Sequence, residues 1–154
     1  QYNWGNLNQD IYLDETNIRM TMNFRNNFSR LAQQLIVEKD YTKAEKVLDK
    51  CMEIMPSDKV PLNYFIHPII ESYYKVNANT KADSIVTELY DIYKSELEYF
   101  LNFPAKKMQF IQVELVKNLQ FYNNLVIISE ENNHPNNRRI QQDFQRFYQQ
   151  FLSL

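Results

Sequence analysis

The chain has 154 residues, of which 44% are hydrophobic and 23% charged, and its formal net charge is -2. This composition predicts one domain with its own core, and the near-neutral charge argues against a nucleic-acid partner, because phosphate binding needs lysine and arginine gathered on one face. No run of about 18 apolar residues occurs, so the sequence predicts no membrane span, and the single cysteine excludes an internal disulfide.

The first third of the chain is predicted to contain a lead-in and one helical hairpin. Residues 1–13 follow neither a helical nor a strand period, so we expect an irregular segment. Asp14 or Thr16 can then cap a helix. The apolar residues of this helix recur at helical spacing: Met20, Phe24, Phe28, Leu31 and Leu35. A second stripe of the same period covers residues 44–55 and is stopped by Pro56.

The middle of the chain is predicted to form a second hairpin. Pro61 suits the first turn of its first helix, where the missing amide proton is no loss. The second helix follows from Ala82 to Leu97. Pro68 falls inside the first of these patterns, where an ideal helix loses about 3 kcal/mol or more to a proline. We therefore expect either a kink at Pro68 or a helix that starts later.

The last third is predicted to form a further hairpin that caps the others. Two helical stripes, residues 108–126 and 140–151, flank a polar break at residues 131–136. Terminal repeats of a stack are commonly atypical, because they cover the exposed end of its core. The predicted single domain therefore has an irregular lead-in (1–13), two hairpins (14–103) and a C-terminal capping hairpin (104–154).

An internal repeat supports this organisation. Residues 42–48 and 80–86 have nearly the same sequence, and the distance from Ala44 to Ala82 gives a period of 38 residues. A repeat of that length is typical of stacked helical hairpins, each of which buries its apolar face against a neighbour. The predicted fold class is all-α, a right-handed stack of about three hairpins.

The first hairpin resembles a tetratricopeptide repeat. The matching positions of its first helix are Phe28, Leu31, Ala32 and Leu35, and those of its second helix are Tyr41, Ala44, Leu48, Cys51 and Pro56. The second hairpin departs from the pattern, with Ile70 in place of the small residue and Lys94 in place of the proline. The period of 38 also exceeds the usual length of about 34. The resemblance implies a tetratricopeptide-like stack over residues 24–100.

A second series of motifs lies between Trp4 and Tyr74, and none of it falls in the last hairpin: Trp4-Gly5-Asn6-Leu7, Ile11-Tyr12-Leu13-Asp14-Glu15, Arg19-Met20, Asn23-Phe24-Arg25-Asn26-Asn27-Phe28, Leu31-Ala32, Ala44, Val47-Leu48-Asp49-Lys50-Cys51-Met52-Glu53, Met55-Pro56, Val60-Pro61 and Tyr73-Tyr74. With these motifs the chain resembles the soluble C-terminal region of a bacterial multi-pass membrane family that is similar to protein O-mannosyltransferases. The resemblance implies a lipid-linked-sugar glycosyltransferase upstream, with this helical region outside the bilayer on the extracytoplasmic (periplasmic) side. The catalytic acids of such an enzyme would lie in its membrane part, and none is carried over to this chain.

The groups that could carry chemistry each have a structural alternative. His67 and Glu71 lie four residues apart, as two metal ligands or an acid–base pair would, but two groups make neither a closed metal site nor a triad, so we expect a surface pair. His134 lies in an Asn-rich turn, where we expect a solvated loop. Cys51 falls on an apolar stripe, which favours a buried structural thiol. We predict no catalytic residue, no metal site and no cofactor.

One surface is a candidate binding site. In this repeat class the first helix of each hairpin lines a concave groove. The predicted groove residues are Asn26, Gln33, Tyr64, His67, Glu71 and Tyr74. Tyrosine and histidine there would give an amphipathic wall suited to an extended peptide or a sugar face. The alternative is that the third hairpin or the lead-in fills the groove.

The sequence therefore predicts a non-catalytic interaction or accessory domain at the C-terminus of a membrane glycosyltransferase-like protein. Its partner would be a protein or peptide, or the membrane part of its own chain. The alternative is a stand-alone tetratricopeptide-like adaptor that binds a protein or peptide partner. An independent soluble enzyme is disfavoured, because no nucleophile, base and orienting group can be assembled from this sequence.

Overall fold

A computed structural model describes residues 14–104 and 108–153, and every regular element within those ranges is helical. The helices are α1 (Glu15–Val37), α2 (Tyr41–Ile54), a short 3-10 helix (Tyr64–Ile66), α3 (His67–Lys75), α4 (Asn79–Leu101), α5 (Met108–Glu131) and α6 (Asn137–Leu152). The all-α prediction is confirmed for these residues. The predicted lead-in at residues 1–13 lies outside them.

The chain divides into two compact units, Gln1–Asn79 (unit 1) and Thr80–Leu154 (unit 2). The boundary lies between Asn79 and Thr80, at the start of α4. It therefore separates α3 from nearly all of α4, the two helices of the predicted second hairpin. The predicted arrangement of three hairpins in one domain stays a prediction.

Unit 1 is built around α1, which packs against α2, the 3-10 helix and α3. The carboxylate of Asp14 accepts a hydrogen bond from the Asn17 backbone N–H at 2.8 Å, so the predicted cap of α1 is confirmed. Helix α2 ends at Ile54, just before Pro56, as predicted. The residues with no exposed surface that form the apolar core of unit 1 include Ala32, Ala44, Leu48, Cys51, Ile66, Ile69 and Ile70.

The predicted start of the third helix at Pro61 is wrong, because α3 begins only at His67. The side chain of Asn63 instead accepts a hydrogen bond from the Phe65 N–H at 3.1 Å and starts the 3-10 helix. Pro68 consequently lies in the first turn of α3, where a backbone N–H has no partner within the helix. The later start, one of the two outcomes expected for Pro68, is confirmed.

Helices α1, α3 and α5 end in the same way. Lys39, Asn77 and Asn133 have positive φ angles of 62°, 62° and 54°. In each turn the next residue's N–H bonds to a carbonyl five residues earlier, at 2.8 to 2.9 Å, which satisfies a carbonyl at the helix end. Lys39 and Asn77 are 38 residues apart, as are Tyr41 and Asn79, the first residues of α2 and α4. The 38-residue sequence repeat is therefore a repeat of local structure.

Unit 2 contains nearly all of α4 together with α5 and α6, and its core is aromatic. Tyr122 of α5 is fully buried, and its hydroxyl donates to the Ile140 carbonyl at 3.2 Å. Four rings from α4 and α6 lie around it with centroids 5.6 to 6.2 Å away: Tyr90, Tyr93, Phe144 and Phe147. Such tilted and edge-on ring pairs add stability beyond the area that they bury.

Candidate functional site

The apolar stripe predicted for the first helix does not coincide with the helix face that is buried. Met20, Phe24 and Leu31 are 53%, 41% and 50% exposed, whereas Phe28 and Leu35 are half-buried. The three exposed residues, which we name the α1 stripe, are four and seven residues apart and so share one face of the helix. Met20 and Leu31 are eleven residues apart in sequence, which corresponds to about 16 Å along the helix. The α1 stripe is the candidate contact site of unit 1.

The buried face of α1 carries Arg25, Ser29 and Ala32 instead. Ser29 and Ala32 are small, which lets the neighbouring helices approach α1 closely. Arg25 has no exposed surface, which is unusual for an arginine and requires hydrogen-bond partners inside the protein.

The guanidinium of Arg25 holds the segment that follows α2. Its Nη1 atom donates to the Pro61 carbonyl at 3.1 Å, and Nη2 donates to the carbonyls of Met55 at 3.1 Å and Val60 at 3.0 Å. We name this set the Arg25 network. Hydrogen bonds from a charged donor are stronger than neutral ones, and here they satisfy three backbone carbonyls of a loop. Arg25, Met55, Val60 and Pro61 all belong to the motifs that carry the sequence resemblance, so these motif positions have a structural role.

Cys51 lies in the core of unit 1, as predicted, with no exposed surface. Burial raises the pKa of its thiol to about 12, and the positive charge of Arg25 offsets this only in part. At neutral pH the side chain is a thiol and not the nucleophilic thiolate. Because the thiol is both buried and protonated, Cys51 is a structural residue.

The structure contradicts the surface position predicted for His67, and the pairing of His67 with Glu71 stays a prediction. Glu71 is half-buried, but His67 is only 7% exposed, so the prediction of a surface position is wrong for the histidine. Burial lowers the pKa of His67 to about 4, because the imidazolium loses its hydration in the core. His67 is therefore a neutral imidazole at pH 7.

The six predicted groove residues lie on α1, the 3-10 helix and α3, and these elements pack together in unit 1. Their exposure divides them into three sets: Tyr64 is exposed, Asn26, Gln33 and Glu71 are half-buried, and His67 and Tyr74 are buried. The two buried residues contribute to the core of unit 1. The groove as a binding site stays a prediction, with Tyr64 as its most accessible member.

His134 is buried, at 2% exposure, so the solvated position predicted for it is wrong. Its Nδ1 atom accepts a hydrogen bond from the Asn136 backbone N–H at 3.1 Å. Its Nε2 atom lies 3.2 Å from the Asp83 carbonyl and 3.5 Å from the Thr87 hydroxyl. Because the Asn136 N–H is a donor, Nδ1 must be the acceptor and carries no proton. The proton of the neutral ring is therefore assigned to Nε2, which donates to the Asp83 carbonyl. Both ring nitrogens are thus engaged, and the bonds join the α5–α6 turn to α4.

A charged cluster also joins α4 to α6 in unit 2. The Tyr90 hydroxyl donates to a carboxylate oxygen of Asp143 at 2.6 Å, and the cationic nitrogens of Lys94 and Arg146 lie 3.5 and 3.3 Å from that carboxylate. Burial raises the pKa of Asp143, but the Tyr90 hydrogen bond and the two positive charges outweigh it, so the pKa lies below its usual value. Sequence periodicity gave no indication of this cluster, because its members lie on different helices.

Comparison with protein-family models, with curated proteins and with solved structures finds no match for this chain. Within residues 14–104 and 108–153, no histidine, cysteine and carboxylate side chains gather in a set of three or more that could hold a metal ion. None of the helices in that part of the chain has the length and apolarity needed to cross a membrane.

Proposed function

We propose that this chain is a non-catalytic interaction or accessory domain and that the α1 stripe is its contact surface. The observation that carries the proposal is the alignment of three large, exposed apolar side chains on one helix. Exposed apolar side chains that are scattered singly are ordinary, whereas grouped ones mark contact sites. A line about 16 Å long fits a helix or an extended segment of a protein partner.

Four of the groups that could carry chemistry in the described residues have structural roles, which supports the non-catalytic part of the proposal. Cys51 is a buried thiol with a raised pKa, His67 is buried and neutral, and His134 bonds to backbone groups through both nitrogens. Asp14 caps α1. A domain of this kind would position a partner, and the reaction would take place elsewhere.

We further propose that the domain is the extracytoplasmic, C-terminal part of a membrane protein similar to protein O-mannosyltransferases, with its hairpins in a tetratricopeptide-like, right-handed stack. The support is the series of sequence motifs, four members of which meet in the Arg25 network, and the structural repeat of 38 residues. The partner of the α1 stripe would then be the membrane part of the same chain, or a protein or peptide that the enzyme handles.

A stand-alone adaptor is the second candidate function. The exposed side chain of Tyr64, a member of the predicted groove, favours it. Tyrosine offers both an apolar ring and a hydrogen-bonding hydroxyl to a peptide partner.

Site-specific photo-crosslinking tests the contact surface. A photoreactive residue replaces Leu31 in the native protein within its own cells, and a matched control carries it at Lys50, an exposed position on α2. We expect an adduct from position 31 and none from position 50, with mass spectrometry identifying the crosslinked peptide. Equal yields from the two positions, or no adduct from either, would refute the α1 stripe as a contact surface.

A further inference from the structure

The loop between α5 and α6 is held by one buried imidazole. His134 lies at its centre, and its own N–H bonds to the Ser129 carbonyl at 2.8 Å, next to the positive-φ residue Asn133. The Nδ1 bond from the Asn136 N–H closes the loop, and the Nε2 bond to the Asp83 carbonyl ties it to α4. Besides backbone hydrogen bonds such as that from the Asn137 N–H to the His134 carbonyl at 3.0 Å, the loop is thus held through the two nitrogens of a single titratable ring.

Protonation affects these two bonds differently. The imidazolium carries a proton on both nitrogens, so Nε2 continues to donate to the Asp83 carbonyl. Nδ1, however, becomes a donor and faces the N–H of Asn136 across 3.1 Å. A hydrogen bond is lost and two donors oppose each other. With the ring buried, water cannot replace the lost acceptor unless the loop moves.

We propose that His134 is an acid-sensitive latch, which holds the α5–α6 loop against α4 while the imidazole is neutral and releases it when Nδ1 is protonated. The latch is a regulatory device in unit 2 and is independent of the contact surface proposed for α1. It converts a fall in pH into local exposure of the loop and of the first turns of α4.

Charged residues of both signs lie on the described elements around the latch. They are Lys81 and Asp83 on α4, Glu130 and Glu131 at the end of α5, and Arg138 and Arg139 at the start of α6. Glu130 and Arg138 line the same surface cleft of about 210 Å³.

The opening is local, because the charged cluster that joins α4 to α6 at Asp143 survives the same change in pH. Asp143 accepts the Tyr90 hydroxyl and is flanked by Lys94 and Arg146, and its pKa lies below the usual range. It therefore stays ionised where an imidazole titrates.

Residue-resolved NMR of the 154-residue chain tests the latch. Two-bond nitrogen–proton spectra at pH 7.5 should show the Nε2–H tautomer of His134. On acidification, protection of the Asn136 amide from hydrogen exchange, corrected for the intrinsic pH dependence, should fall at least tenfold along the titration curve of His134. The Leu125 amide, in the buried part of α5, should keep its protection.

The control variant is His134→Asn, whose side-chain oxygen can accept the Asn136 N–H as an Asx turn and does not titrate. Protection of the Asn136 amide should then be independent of pH. If that variant does not fold, the wild-type spectra decide alone. An Nδ1–H tautomer at pH 7.5, a protected Asn136 amide beside a protonated His134, or a ring that stays neutral until the whole chain unfolds would each overturn the proposal.

Discussion

Acidification should destabilise unit 1 through His67. This side chain is almost fully buried, and burial lowers its pKa to about 4, from the ordinary value of 6.5 that it regains in the unfolded chain. Between these two values the unfolded chain binds a proton that the folded chain does not. The contribution of His67 to the free energy of unfolding is therefore complete above pH 6.5 and is lost as the pH falls toward 4.

The size of this effect follows from the difference between the two pKa values. One pKa unit corresponds to about 1.4 kcal/mol, so the difference of about 2.5 units gives a loss of roughly 3 kcal/mol by pH 4. Native domains are stable by only about 5 to 15 kcal/mol, so a loss of this size is a large part of the total.

Urea titrations followed by circular dichroism at pH 7, 6, 5 and 4 measure the effect. His67→Gln is the comparison, because glutamine is polar but does not titrate and every other side chain is the same in both proteins. We expect the free energy of unfolding of the wild type to fall by roughly 3 kcal/mol more than that of the variant. Parallel pH profiles would refute the conclusion that His67 is buried in its neutral form.

Three further predictions test the structure by substitution. Lys39→Gly should stabilise the chain by about 0.5 to 1 kcal/mol in thermal unfolding, because φ is 62° there, whereas Lys46→Gly, at an exposed position in the interior of α2, should destabilise it by about as much; equal effects would count against the turn. Arg25→Met should cost at least about 3 kcal/mol in urea unfolding, because three carbonyls lose their donor, and a loss under 1 kcal/mol would contradict the Arg25 network. Leu31→Ser should change stability by less than about 0.5 kcal/mol, whereas Ala32→Val should cost about 1 to 3 kcal/mol; the reverse order would place Leu31 in the core.

Local signals in the sequence predicted the local structure. Asp14 caps α1, Pro56 follows the end of α2, and the polar break at residues 131–136 separates α5 from α6. The third helix was predicted to start at Pro61, but its first turn contains Pro68 instead. Asn63 caps a 3-10 helix between these two prolines. The start of this helix depends on which side chain forms a hydrogen bond to the backbone, and helical periodicity does not contain that information.

Periodicity also failed to identify the buried face of α1, for a tertiary reason. A charged residue ordinarily marks the solvent side of a helix, but Arg25 is buried against carbonyls that are 30 to 36 residues away in sequence. The one signal for it was its place in the motifs of the sequence resemblance, alongside Met55 and Pro61. His134 was misjudged in the same way, because an Asn-rich turn looks solvated unless its backbone bonds are known.

The central claim is that this domain belongs to a membrane glycosyltransferase-like protein. Fractionation of the native protein tests this claim most directly. An antibody raised against the 154-residue chain follows the protein through soluble fractions and alkaline-washed membranes on a denaturing gel. We expect a band in the washed membranes, with a mass far above that of 154 residues. A soluble band close to the mass of the chain would contradict the claim and leave the stand-alone adaptor.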